Sequence, residues 1–119
     1  MTRLERAILG LRHALEAPRR HRVWRWLVRN RMAAVREALA AETSRGGDAW
    51  LEAREVALVR DRDALLRRLT ALGPEVLEAP DVEVVRRDLG RLVVDLEHHR
   101  QRLSDLVYDS VSLELGGSE

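Results

Sequence analysis

Cysteine is absent from the 119 residues, which removes disulfides, thiolate nucleophiles, iron–sulfur clusters and thiolate zinc sites from consideration. That absence fits a reducing compartment. Lysine is absent as well: all 21 basic residues are arginine, the coding habit expected of a GC-rich bacterial genome. The amino-terminal MTRLERAILGLRHALE spaces charges between its apolar residues. It therefore predicts neither a signal peptide nor a transmembrane segment, and the chain reads as cytoplasmic. Catalytic signatures are missing too. The glycine pairs Gly46-Gly47 and Gly116-Gly117 lie outside any strand-to-helix context, and the scattered serines have no base spaced to activate them. His13 and His21 flank Pro18 without any sign of acting together. An enzyme is not expected, and no catalytic residue, metal or cofactor is assigned.

What is present is helical periodicity. From Asp81 to about Leu113 a seam runs through Val82, Val85, Leu89, Leu92, Leu96, His99, Leu103, Leu106, Ser110 and Leu113. Its spacings alternate three and four, as in a heptad repeat. Such a helix is a rod of roughly 45–50 Å, and shorter helices must line up against it.

Three further helices are predicted upstream. The first, about Thr2 to Glu16, carries Leu4, Ile8, Leu11 and Leu15 on one stripe and ends before Pro18, because the residue preceding a proline avoids the helical region. The second, about Arg19 to Glu42, places Val23, Trp24, Leu27, Val28, Ala34, Val35, Ala38 and Leu39 on one half of its wheel, with Arg22, Arg25, Arg29 and Arg36 opposite. Ser44 to Gly47 breaks it, and Asp48 is the predicted N-cap of the third helix, about Ala49 to Leu72, which Gly73-Pro74 should stop. Short connections make these antiparallel neighbours. The expected fold is an all-α antiparallel bundle of three long helices plus a shorter N-terminal one, a single domain over 1–115 with a frayed tail at 116–119. Counting back from the loops sets Leu51 to Leu58 level with Leu96 to Leu103, so that everything after about Asp105 overhangs.

Charge is divided unevenly along the chain. Residues 1–40 hold ten arginines against three glutamates, a net of +7, whereas residues 41–119 hold eleven arginines against seventeen acids, a net of −6. Packing the halves together makes part of this internal, and only the outward remainder can address a partner.

Four constellations stand out. His99 occupies a seam position suited to leucine, with Asp95 one turn before it and Glu55 and Glu37 expected at its level. That set invites a carboxylate/His metal bundle, but Asp95-x-x-His98 is a poor approximation to the paired Glu-x-x-His motifs of di-iron bundles. A core histidine held by carboxylates is the plainer expectation. Arg31 projects into the apolar half of the second helix, so Asp61 or Asp63 is expected to neutralise it, making Arg31, Asp61, Asp95 and His99 a core polar layer that sets helix register. The stripe of Arg22, Arg25, Arg29 and Arg36, with Trp26 beside it, suits phosphate or an acidic partner, because arginine forks match phosphate and tryptophan stacks on bases. The overhang carries Leu106, Val107, Tyr108, Val111, Leu113 and Leu115, and an exposed apolar surface of that kind marks a contact site. The expected function is a non-enzymatic interaction or assembly module that self-associates as a homo-oligomer, a dimer in the simplest case, or docks another protein through the overhang. The alternative is a small nucleic-acid-binding regulator using the arginine stripe.

Overall fold

The computed structural model describes the backbone of residues 1–18, 21–42 and 49–116, and the side chains of these except at 21, 49–51 and 113–116. Among the described residues there are four helices: α1 (Arg3–Glu16), α2 (His21–Ala40), α3 (Ala49–Glu78) and α4 (Val82–Gly116). Helix α1 packs on α2 and α4, and α3 packs on α2 and α4. The result is an antiparallel four-helix bundle in which each helix follows its predecessor in the reverse direction.

Local chemistry sets most helix ends. Thr2 caps α1 in a reciprocal box, its hydroxyl accepting from the Glu5 amide while the Glu5 carboxylate accepts from the Thr2 amide. At the other end Ala17, extended before Pro18, closes α1. Asp81 starts α4, its side chain accepting from the Glu83 amide at 3.0 Å.

The core is built on the α4 seam. Val85, Leu89, Leu92 and Leu96 are buried against Leu4, Ile8, Leu11 and Leu15 of α1, Trp24, Val28, Met32, Val35 and Leu39 of α2, and Leu65, Leu69 and Val76 of α3. A separate small cluster lies higher up, where Leu58 of α3 meets Leu106 of α4 with Leu103 alongside.

Three expectations require correction. First, Gly73-Pro74 does not end α3, which runs on to Glu78 with Pro74 inside it. Proline lacks the N–H that would bond to Thr70 C=O and its ring crowds that carbonyl. The continuation is held by tertiary contacts: Val76 is fully buried in the core, and Arg25 donates from Nη1 to the Val76 carbonyl at 3.0 Å, satisfying one of the orphan acceptors at the helix end. Second, the extra helix moves the α3–α4 turn toward the C-terminus and slides the register of the two helices by about two turns. Leu58 therefore meets Leu106, and Arg54 bonds Asp109 at 2.6 Å. Leu106 is 7% exposed, so it belongs to the core and not to a free overhang. Third, Arg31 is exposed, while Met32 is buried. The Arg31 stem passes over Gly10 of α1, where a Cβ would lie 3.6 Å from Arg31 Cδ. The missing side chain leaves a corridor to solvent, and the long arginine uses it.

The expected break at 44–47, the Asp48 cap and the 117–119 part of the tail fall outside the described residues, as do the side chains of Leu51, Leu113 and Leu115. No described helix is long and apolar enough to cross a membrane.

Replacing Pro74 with alanine restores a backbone hydrogen bond in mid-helix at an exposed position. The Pro74→Ala variant should unfold about 1–2 kcal/mol less readily, the helix gain exceeding the loss of proline's restraint on the unfolded chain, which a urea titration with unchanged slope would show.

Candidate functional site

Three places bring chemically distinctive side chains together. The first is the layer around His99. Its ring is fully buried, 0% exposed, and both nitrogens are occupied: Nδ1 lies 2.7 Å from Asp61 Oδ2 and Nε2 lies 3.0 Å from Glu42 Oε2. Arg102, one turn after His99 on α4, donates to the same Asp61 oxygen at 2.6 Å. Arg62 donates to the Glu42 carbonyl at 3.0 Å and lies 3.5 Å from Asp63. The layer thus ties the end of α2 to the middle of α3 and to α4.

Of the residues expected in this layer, His99 and Asp61 meet, and Arg31 and Asp95 do not. Asp95 pairs instead with Arg68 at 2.6 Å on the α3–α4 seam, and Arg31 leaves over Gly10. Glu55 has given up its expected level to Asp61 because the helix register has slid. Glu37 faces Arg3 at 3.4 Å. With its two ring nitrogens held by two separate carboxylates, His99 points no lone pair at a shared centre. Among the described residues no group of three acidic or imidazole side chains converges with metal-binding geometry. Glu42 and Arg102 escaped the sequence reading. Arg102 was findable, lying three residues from His99 and so on the same helical face; Glu42, at the frayed end of α2, carried no periodic signal.

Burial alone would push the His99 pKa down, but the hydrogen bonds and charges of Glu42 and then Asp61 outweigh it and raise the pKa above the ordinary histidine value. Asp61 is likewise opposed by its own burial, yet Arg102 and His99 hold its carboxyl below the usual range. A raised histidine pKa contributes stability that is complete below the unfolded value, about 6.5, and is lost as pH climbs through the folded value. A depressed aspartate pKa contributes fully above about 3.9 and is lost as pH falls through the folded value. The layer is therefore strongest between roughly pH 4 and 6.5.

The second place is a groove of about 510 Å³ between α2 and α3. Trp26, Arg29, Asn30 and Arg36 form its α2 wall, with Thr70 and Pro74 opposite. The expected arginine stripe is divided by this geometry. Arg25 is committed to the Val76 carbonyl, and Arg22 is exposed but outside the groove lining. Arg29 folds its guanidinium against Gly73, where a Cβ would fall 2.7 Å from Nη1, and Trp26 stands 63% exposed beside it.

The third is an apolar groove of about 780 Å³ near the carboxyl end of α4. Leu4, Ala38 and Leu103 line it together with Val107, Tyr108 and Val111, and Arg3 and Arg100 lie at its rim. Tyr108 is 73% and Val111 46% exposed. Helix α2 ends at Ala40 and α1 begins at Arg3, so α4 outruns both while α3 still accompanies it to Asp109. The Val107, Tyr108 and Val111 part of the expected overhang therefore forms one wall of a groove, and the α1 and α2 residues that complete it had no signal in the linear sequence.

Compared with known proteins, the chain matches no family model, and neither a curated protein nor a solved structure shows significant similarity to it.

The His99 layer predicts a pH signature. Wild type should exceed a His99→Leu variant in stability by about 1–3 kcal/mol near pH 6, and the difference should shrink as pH rises above about 6.5 and through the raised folded value, as read from urea midpoints at matched ionic strength. A difference independent of pH would deny the layer its charged histidine.

Proposed function

We propose that this chain is a non-enzymatic assembly module that self-associates through the carboxyl-terminal end of its bundle. The observation carrying this reading is the 780 Å³ apolar groove beside α4. Four helices bury one another's apolar faces through the middle of the rod, but α4 runs past the start of α1 and the end of α2, and Val107, Tyr108 and Val111 stand beside Leu4 and Ala38 as an apolar surface open to water. A second copy supplies the matching element: two such ends, related by a twofold axis, complete a local four-helix arrangement from two chains.

The apolar residues of the groove supply the bulk of the association energy, at about 25 cal/mol for each Å² covered.

Light scattering on the full-length chain at micromolar concentration should give twice the 13.6 kDa monomer mass. A Tyr108→Glu/Val111→Glu variant alters exposed positions while sparing Leu106 in its core contact with Leu58. It should remain helical and sediment as a monomer, its association weakened at least about 100-fold by placing two charges in an apolar contact. A monomeric wild type, or a variant that still dimerises, would refute this reading.

A further inference from the structure

The groove between α2 and α3 is separate from the assembly surface. It is lined by two guanidiniums and an indole, and its lining contains no carboxylate, in a protein whose basic and acidic residues number 21 and 20. Several other arginines are matched: Arg3 with Glu37, Arg12 with Glu97, Arg68 with Asp95, Arg100 with Glu5 and Arg102 with Asp61. Among the described residues Arg29 and Arg36 have no acidic partner, and they lie seven residues apart, two turns along one face of α2. Two of the unpaired arginines of the first forty residues thus share one concave surface.

The remaining wall chemistry narrows the ligand. Trp26 lies one turn from Asn30 and presents a largely exposed ring at the same groove that holds the guanidiniums. A heterocyclic base stacks on an exposed indole irrespective of the base's identity. Asn30 and Thr70 add neutral donors and acceptors at the groove, suited to sugar and base edges. A volume near 510 Å³ is in the range of a small-ligand cleft. Helix α2 is also flanked by α1 and α3 and does not project as a major-groove reading helix must.

We infer that the α2–α3 groove binds single-stranded nucleic acid, one base stacking on Trp26 while Arg29 and Arg36 take flanking phosphates. Arg29 is pre-positioned by its seat against Gly73, so little side-chain freedom is lost when a phosphate arrives. Arg36 is exposed two turns further along the same face. Sequence preference is weak, because the groove offers stacking and charge but few fixed groups aimed at a base edge.

The test is fluorescence anisotropy of a labelled mixed-sequence DNA of ten nucleotides with the full-length chain, alongside the matching duplex and vesicles containing anionic phospholipid. The single strand should bind, with an affinity that falls steeply as salt is raised, and at least about tenfold more tightly than the duplex. Trp26→Ala and Arg36→Glu, both at exposed positions, should each weaken binding about tenfold while leaving the thermal midpoint and the solution mass unchanged. Absence of binding, equal affinity for duplex, tighter binding to anionic vesicles, or affinity indifferent to Trp26→Ala would each overturn the assignment. The solution mass reports on the assembly reading independently, so the two proposals fail separately.

Discussion

His99 stands where a leucine would complete the apolar seam of α4, and its two ring nitrogens demand two acceptors in a place water does not reach. Leucines along a seam tolerate a slip of one turn with modest loss, because one branched side chain replaces another. A buried imidazolium does not, since an uncompensated buried charge costs several kcal/mol. Only one alignment of α2, α3 and α4 brings Glu42 and Asp61 to the same ring, and Arg102 then balances the second carboxylate. The hydrophobic stripes draw the helices together; this layer selects among their nearly equivalent registers. The position of the grooves at either side follows from that selection.

The features most legible in the sequence were those governed by short-range rules. The α4 seam, the Pro18 boundary and the start of the first helix near Thr2 depend on residues within a turn or two of each other, and the all-helical class follows from them. Pro74 was misread because its local preference for a helix end was overruled by contacts from another element, the burial of Val76 and the Arg25 bond to its carbonyl. That one difference displaced the register of α3 against α4 and, with it, the expected level of Glu55, the partner of His99 and the status of Leu106. Arg31 was misread for a different reason. A wheel gives the direction of Cβ, whereas the guanidinium lies several bonds beyond it and followed the path left open by Gly10. The α1 and α2 residues of the apolar groove belong to neighbouring helices, and no periodicity within one helix reveals what another will set beside it.

The division of charge along the chain is only partly cancelled by folding. Arg12–Glu97 and Glu5–Arg100 join the first helix to the last, so α1 is stitched to α4 by pairs of opposite polarity that contribute little net field. Such half-exposed pairs are worth a few tenths of a kcal/mol to about 1 kcal/mol each, enough to orient α1 without determining the fold. Arg22, Arg29, Arg31 and Arg36 of α2 are exposed and make no ion pair with a described acid, so the outer face of α2 keeps a positive surplus.

Because α1 spans 14 residues and α4 spans 35, the rod is not uniformly thick, and its resistance to opening is graded. In the middle, α4 is packed against α1 and α3 with its seam buried in the common core, and exposing the amides on that side requires disrupting the core. Near Tyr108 the same backbone ladder is backed chiefly by α3, so it can open by fraying without disturbing the core. The middle and the carboxyl end of one continuous helix thus live on different clocks, and the segment best placed to meet another molecule is also the one that rearranges soonest.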